Sequence, residues 1–384
     1  MNPEPPMLVP GNLHGMALPI LAAAPVVSLF LSAFVTGWLS SNARAGRGPM
    51  DLPNHRSLHS IPVPRTGGLA VLTSVLAPLL ILAGLGVFAL EYAWLCAALA
   101  LVATISFLDD LGDVSPWTRL LAHLAGALLL IAGGLHWSVL DLPGIMLTLP
   151  ALVGGGLTLL YIVWMINLYN FMDGMDGFAS GMAVFGFAAL AILGWSGGEP
   201  LFGLIATCIV AAAAGFLRGN YPPARIFLGD AGSSGLGLLA AGLSLWGVQL
   251  GLFPLWTAWL AFSPFIVDAT WTLLTRLLRH ERVWEPHRSH HYQRLVLAGW
   301  GHRKTLLRGY LLMAAAAVCA VASPRLPAHE QWLLLGAWTT LYILIHIKVG
   351  LIERASTPFS ASAVTSRGPC DSTRHNPRST SNRP

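Results

Sequence analysis

Residues 167–177 read NLYNFMDGMDG and separate two apolar runs, 149–166 and 178–195. Two aspartates and two asparagines are thus packed between segments long enough to cross a bilayer. Polar groups at a membrane boundary are costly unless they bind something. The stretch therefore predicts a functional site at the ends of two membrane-spanning helices.

The composition is that of a membrane protein. Hydrophobic residues make up 55% of the 384 residues and charged residues only 10%, whereas a soluble domain has about 25% charged residues. The mean hydropathy is +0.64. The net charge of +5 does not indicate nucleic acid binding, because many basic residues lie in short loops beside apolar runs. The four cysteines lack metal-ligand spacing.

The apolar runs predict an all-α polytopic protein with about eleven transmembrane helices. We expect one transmembrane domain over 16–354, a short external N-terminus over 1–15 and a disordered, dispensable tail over 355–384. The first run is expected to be a retained helix and not a signal peptide. The runs are 16–39, 68–90, 92–108, 117–135, 148–166, 178–195, 201–217, 233–250, 254–275, 305–323 and 331–352.

Basic residues orient the chain. The loops on the opposite side hold only Arg325. By the positive-inside rule, the N-terminus is expected outside, and the C-terminus and the acidic segments in the cytoplasm. The basic set is Arg44, Arg47, Arg56, Arg65, Arg119, Arg218, Arg225, Arg279, Arg282, Arg288, Arg294, Arg303 and Lys304.

Three acidic segments carry candidate chemistry. In FLDDLGDVSP (107–116), Asp109 and Asp110 end a helix, where the helix dipole disfavours carboxylates, so a metal or a role as base is indicated over a solvated helix end. The central stretch offers oxygen ligands that suit magnesium or manganese and not zinc, although a helix cap with a tight turn is the plainer alternative. Its candidate ligands are Asn167, Asn170, Asp173 and Asp176.

The third acidic segment, 215–237, reads GFLRGNYPPARIFLGDAGSSGLG. Asp230 lies between glycines, and Ser233 is expected to cap the helix that follows, where backbone amides could face a phosphate. Asp230 could instead be a simple helix cap. Asn220 is a candidate for contact with a base.

Two basic loops offer donors for phosphate groups. Arg65 ends the loop 51–68, and Arg288, His290 and His291 lie in the loop 285–305. Arginine and histidine donors suit a pyrophosphate, while ordinary positive-inside loops are the alternative. His123 and Asp268 lie within apolar runs, where structural pairing is favoured over a proton relay.

The order of these motifs resembles the polyprenyl-phosphate N-acetylhexosamine-1-phosphate transferase superfamily, glycosyltransferase family 4, over about residues 16–350. The histidine loop looks more like the branch that initiates O-antigen and other surface glycans than the peptidoglycan branch. The motifs are PNHRSLHSIPVPRTGG, FLDD, NLYNFMDGMDG, FLGDAGS and HRSHHYQRL.

The resemblance implies an enzyme of the bacterial inner membrane that moves a sugar-1-phosphate from a UDP-N-acetylhexosamine to undecaprenyl phosphate and releases UMP. It implies Mg²⁺, with Mn²⁺ as a substitute, held by Asn170 and Asp230. Asp109 would be the base or would orient the lipid phosphate, supported by Asp110. Asp173 and Asp176 would line the nucleotide and metal pocket, Asn220 would contact uracil, and the pyrophosphate would be held by Arg65, Arg288, His290 and His291.

Two other classes remain open at this stage. A secondary transporter for an anionic solute would share the helices and basic loops, but its site would lie near the middle of the bilayer. A non-catalytic scaffold for glycan assembly would tolerate loss of the aspartates, and all of them are present. Homodimerisation is left open, since no interface can be assigned.

Overall fold

The structure of the protein is a computed structural model that describes residues 18–53, 58, 61–84, 93–112, 114–282 and 287–356. The expectations for the N-terminus 1–15, for Arg56 and for the tail beyond 356 fall outside the described residues. Nine helices within the described ranges are long and apolar enough to cross a membrane. The predicted all-α polytopic fold is therefore confirmed.

The first half of the chain forms five long helices. The helices are α1 (Leu18–Arg44), α2 (Gly67–Gly84), α3 (Ala93–Leu111), α4 (Pro116–Ala132) and α5 (Ala151–Phe171). Ser115 caps α4 by accepting a hydrogen bond from the Thr118 amide, with Pro116 in the first turn, which lacks an N–H to leave unpaired. α5 continues to Phe171, so Asn167 and Asn170 are in its last turns and not in the loop predicted from the sequence.

The second half of the chain continues the bundle. The helices are α6 (Phe178–Ser196), α7 (Pro200–Asn220), α8 (Gly229–Gln249), α9 (Leu255–Ala261), α10 (Ser263–Leu278), α11 (His291–Leu295), α12 (Gly301–Ala322) and α13 (Ala328–Ser356). A π-helical turn, Val296–Trp300, joins α11 to α12. The predicted single helix over 254–275 is wrong in one respect, because it breaks at Phe262 just before Pro264.

Two short hairpins were not predicted. β1 (Met50–Asp51) pairs antiparallel with β2 (Val63–Pro64), and β3 (Val139–Leu142) pairs antiparallel with β4 (Ile145–Thr148). β3 and β4 connect α4 to α5 at the end of the bundle opposite the aspartates. We call these two ends the hairpin end and the aspartate end.

Helix α8 is the central element, with 94% of its apolar stretch buried, against 11% for α13. Small residues let its neighbours approach closely: a Cβ at Gly237 would lie 2.6 Å from the Met165 carbonyl oxygen on α5. The start of α2 is held against the start of α8, where the Gly68 amide donates to the Leu228 carbonyl at 2.6 Å. This packing fixes the N-terminus of α8, which carries Asp230, at the aspartate end.

Candidate active site at the aspartate end

The structure brings the three acidic segments to one place. The C-terminal end of α3 supplies Asp109 and Asp110, the turn 172–177 supplies Asp173 and Asp176, and the first turn of α8 supplies Asp230. The predicted start of α8 at 233 is wrong, because the helix begins at Gly229. Ser233 therefore does not cap the helix; its hydroxyl donates back to the Gly229 carbonyl inside the helix.

Asp110 is the cap of α8, supplied by another helix. Its Oδ1 accepts from the Asp230 amide and its Oδ2 from the Ala231 amide, each at 3.0 Å. A carboxylate there satisfies two unpaired N–H groups and interacts favourably with the helix dipole. The side chain is buried, and a Cβ at Gly229 would lie 2.8 Å from it. Asp110 therefore supports the site by holding Asp230 and is not placed to contact a lipid phosphate.

Asp109 and Asp230 are bridged by Arg119. The guanidinium Nη1 lies 2.7 Å from Asp109 Oδ2 and 3.5 Å from Asp230 Oδ2. Asp109 Oδ1 also accepts from the Val114 amide at 2.9 Å. Sequence reasoning assigned Arg119 only to the orienting basic set, because its partners follow from how α4 packs on α3 and α8. Asp230 keeps 35% of its side chain exposed, so it can bind a ligand.

Asp173 lies in the aspartate turn, among other carboxylates. Burial, together with the negative charges of Asp230, Asp110 and Asp176, raises its pKa well above the usual range. Asn170, one turn earlier, has its amide nitrogen 3.5 Å from Ser234 Oγ on α8. The cluster thus has an excess of negative charge, and Asn170 lies against the helix that carries Asp230; carboxylate and carboxamide oxygens suit a hard cation.

Asp176 and Asn220 fix the aspartate turn to its neighbours. Asn220 Oδ1 accepts from the Gly177 amide and the Ser180 hydroxyl, and its Nδ2 donates to the Ile226 carbonyl at 2.9 Å. Because Asn220 is only 3% exposed, it does not present its amide to a base, and the predicted contact with uracil is not supported.

The carboxylate of Asp176 likewise binds a group of the protein itself. Its Oδ2 accepts from the Ala224 amide at 3.0 Å. His302 Nδ1 lies 3.4 Å from the same oxygen, at an angle that does not make a good hydrogen bond. Asp176 is 8% exposed, so its main contacts join the turn to the segment after α7.

The side chains predicted to donate hydrogen bonds to a pyrophosphate differ in where they point. Arg288 is exposed, whereas the rings of His290 and His291 face Asp268 on α10. His291 Nδ1 lies 2.8 Å from Asp268 Oδ1, and His290 Nδ1 lies 3.5 Å from that atom. Pairing of Asp268 was expected, but its partners could not be read from the sequence. Contact of either histidine with a pyrophosphate stays a prediction.

Two other basic residues border the site. The Nε atom of Arg65 is buried without a hydrogen-bond partner among the described residues, while the residue as a whole is partly exposed. His287 accepts a hydrogen bond from the Ser289 hydroxyl at 2.8 Å. Burial, with the positive charges of His290 and Arg276, lowers the pKa of His287 to about 4, so this ring is neutral at pH 7.

We expect Asp173→Asn to stabilise the protein in the presence of a chelator. The folded state raises the pKa of Asp173, so folding favours the protonated acid, and the penalty grows as pH rises above the ordinary carboxyl value of about 4. The variant should melt a few degrees above the wild type at pH 8 and close to it at pH 4.5. Thermal unfolding in detergent with EDTA checks this.

Asp141→Asn is the matched control for that measurement. Asp141 lies on β3 at the hairpin end, and burial alone raises its pKa. Asp141→Asn should raise the melting temperature, and added Mg²⁺ should leave that increase unchanged. Equal melting temperatures for wild type and Asp173→Asn at both pH values would contradict the predicted repulsion.

Comparison with known proteins identifies the family. Residues 92–248 match the model described as glycosyl transferase family 4. The chain is 30% identical, over 82% of its own length and 88% of the relative, to the probable undecaprenyl-phosphate N-acetylglucosaminyl 1-phosphate transferase of Bacillus subtilis (strain 168).

Two further relatives are similar over most of their length. The decaprenyl-phosphate N-acetylglucosaminephosphotransferase of Mycolicibacterium smegmatis is 29% identical over 88% of this chain and 91% of the relative. The undecaprenyl-phosphate alpha-N-acetylglucosaminyl 1-phosphate transferase of Yersinia pestis is 27% identical over 83% of this chain and 89% of the relative. Because the chain is 30% identical to the Bacillus subtilis relative over 88% of that relative, and matches the family model, it belongs to glycosyl transferase family 4.

Proposed function

We propose that the chain is a membrane transferase that moves N-acetylglucosamine-1-phosphate, or that of a related N-acetylhexosamine, from its UDP-sugar to a polyprenyl phosphate. The observation that carries the proposal is the meeting of Asp109, Arg119 and Asp230 at the aspartate end of a family member. The names of the relatives supply the transferred group, N-acetylglucosamine phosphate, and the polyprenyl-phosphate acceptor, while the UDP-sugar donor is what the resemblance of the motifs implies.

In the proposed reaction, an oxygen of the lipid phosphate attacks the β-phosphorus of the donor. A bond forms between that oxygen and phosphorus, the bond to the UMP oxygen breaks, and UMP leaves. A phosphate monoester has a second pKa of about 6, so the nucleophile is already ionised at neutral pH. Orientation and charge neutralisation are then the main needs.

The residues divide these tasks. Asp109 holds Arg119, whose side chain is 38% exposed, so its guanidinium would face the lipid phosphate. Asp110 fixes the α8 N-terminus and therefore Asp230. Exposed Arg288 and partly exposed Arg65 would bind the donor pyrophosphate. Because Asp109 accepts from an amide and an arginine, its role is to orient the acceptor and not to remove a proton.

We also propose that Asp230 and Asn170 hold Mg²⁺, with Asp173 close by. Bound there, the ion would neutralise charge on the transferring phosphoryl group. Among the described residues, no group of three or more His, Cys, Asp or Glu side chains is arranged to hold a metal ion. That is compatible with Mg²⁺, which usually keeps several waters and takes one or two carboxylates plus substrate phosphates.

The basic residues at the aspartate end support an orientation of the protein in the membrane. Arg119, Arg218 and Arg225 lie at the aspartate end, so we place that end and the C-terminus in the cytoplasm of a bacterial inner membrane, with the N-terminus outside. The enzyme would start an O-antigen, lipopolysaccharide or other envelope glycan. A transporter is not favoured, because the break between α9 and α10 is filled by buried Phe262, packed 5.4 Å from Phe187.

The test is a donor panel. Purified protein in detergent is given polyprenyl phosphate, Mg²⁺ and each of several UDP-N-acetylhexosamines, and UMP is measured. UMP release that needs both the lipid and one donor is the expected result. No UMP with any donor, from protein shown to be folded, would overturn the proposal.

The metal proposal predicts a specific response to chelation. EDTA should abolish UMP release, and Mg²⁺ or Mn²⁺ should restore it, while Zn²⁺ should not, because the candidate ligands are all oxygen atoms. Added Mg²⁺ should also remove the stability advantage of Asp173→Asn, a readout that does not depend on turnover. Full activity in excess EDTA would contradict the metal site.

A further inference from the structure

The C-terminal helix α13 is mostly apolar and little buried, yet it makes two polar contacts with α11. Only 11% of its apolar stretch is buried, so polar residues there are costly unless they have partners. His346 Nδ1 lies 2.9 Å from His291 Nε2 on α11. About two helical turns further on, Glu353 forms an ion pair with Arg294 of α11. α13 is thus tied to the histidine segment at two points.

Hydrogen bonds through His291 form one chain from α10 to α13. Asp268 Oδ1 can only accept, so His291 Nδ1, at 2.8 Å, donates to it, as does the His291 amide at 3.0 Å. The other ring nitrogen of a neutral His291 is then an acceptor. In that form His346 Nδ1 donates to His291 Nε2, whereas a protonated His291 would donate from Nε2 to His346 Nδ1, so the two rings are hydrogen-bonded in either form.

His291 is held at both ring nitrogens, and α11 is held with it. The next residue, Tyr292, packs its ring 4.8 Å from Phe178, and its hydroxyl lies beside Gly174 in the aspartate turn. A shift of α11 would therefore move Arg288, which lies three residues before it. The same shift would disturb the contact of Tyr292 with the aspartate turn, residues 172–177.

We propose that His346 and Asp268 are positioning residues for donor binding: through His291 they hold α11 so that Arg288 and the aspartate turn meet the diphosphate of the nucleotide-sugar. This inference rests on the proposed function. His346 acts at a distance and does not touch substrate. Its ring also packs 4.5 Å from Trp271 on α10, so its volume and its hydrogen bond have to be separated experimentally.

A series at His346 separates them. His346→Leu keeps bulk and removes the hydrogen-bonding nitrogen, while His346→Asn places an amide group, which can donate or accept, close to the position of Nδ1. His346→Gln places its amide further out, near Nε2. The expected result is a rise of about tenfold in the donor KM for His346→Leu, the factor that corresponds to one buried hydrogen bond.

The order of the variants identifies the mechanism. His346→Asn should restore the donor KM towards the wild-type value and His346→Gln should not, while the KM for polyprenyl phosphate stays within about twofold in all three. Loss of packing alone would instead affect all three variants alike and lower kcat through the fraction folded. His329→Ala, an exposed histidine at the far end of α13, should change neither KM.

Hydrogen exchange gives a second test that does not need turnover. Amides of residues 290–295 should exchange faster in His346→Leu than in wild type or His346→Asn, while those of α8 stay protected. An unchanged donor KM in an active enzyme, or unchanged exchange in that segment, would overturn the proposal. An inactive wild type with the expected exchange pattern would overturn the proposed function and leave the positioning of α11 supported.

Discussion

Asp230→Asn should lower UMP release by a factor of about 10² to 10³ while the protein remains folded. The Asp230 side chain is 35% exposed and lies 3.5 Å from Arg119. What holds the backbone at this position is Asp110, which binds the Asp230 amide and not its side chain. Asparagine keeps the size of the residue and removes the charge. The effect should therefore fall on ligand binding and turnover, measured as UMP release at saturating donor and lipid.

Stability is the companion measurement for this variant. Since Asp230 adds to the negative charge around Asp173, its neutralisation should leave the melting temperature in EDTA unchanged or raise it. Asp141→Asn at the hairpin end is the control and should keep full activity. If Asp230→Asn turned over at the wild-type rate, Asp230 would be removed from the proposed metal site. A low rate accompanied by a large loss of stability would point instead to a structural role.

The membrane fold could be predicted because it depends on local sequence. A run of about 20 apolar residues must be a helix in a bilayer, whatever its neighbours are. The break at Phe262 was missed because a proline near the middle of an apolar run is compatible with either a kink or an interruption. The hairpin of β3 and β4 was missed because VLDL and IMLT are too short to be distinguished from a loop.

The acidic segments of the candidate site could also be found from sequence, since aspartates between apolar runs are unusual enough to notice. Their individual roles could not. Asp109 and Asp110 are neighbours in sequence, yet Asp109 binds Arg119 while Asp110 caps α8, more than a hundred residues away. Asn220 looked like a ligand for a base because its tertiary partners, Gly177 and Ser180, are 43 and 40 positions earlier. Such assignments depend on helix packing, which one sequence does not give.

Asp110→Ala should cost both stability and activity, in contrast to Asp230→Asn. The substitution leaves the amides of Asp230 and Ala231 without an acceptor at a buried helix start. Each unpaired buried donor costs about 1–3 kcal/mol, so a loss of about 2–6 kcal/mol in the free energy of unfolding is expected for the pair. Denaturant unfolding in detergent, monitored by tryptophan fluorescence, measures it. Activity should fall because Asp230 then loses its fixed position.

Two comparisons make this prediction specific to the cap. Asp110→Asn keeps one acceptor oxygen at nearly the same place and should lose about half as much stability as Asp110→Ala. Asp109→Ala, one residue earlier on α3, breaks a pair with a partly exposed arginine; such pairs contribute about 0–1 kcal/mol, so it should lose less stability while still impairing turnover. If Asp110→Ala were as stable as wild type, solvent or another group would be satisfying the α8 amides. Asp110 would then have to be reconsidered as a residue that contacts substrate.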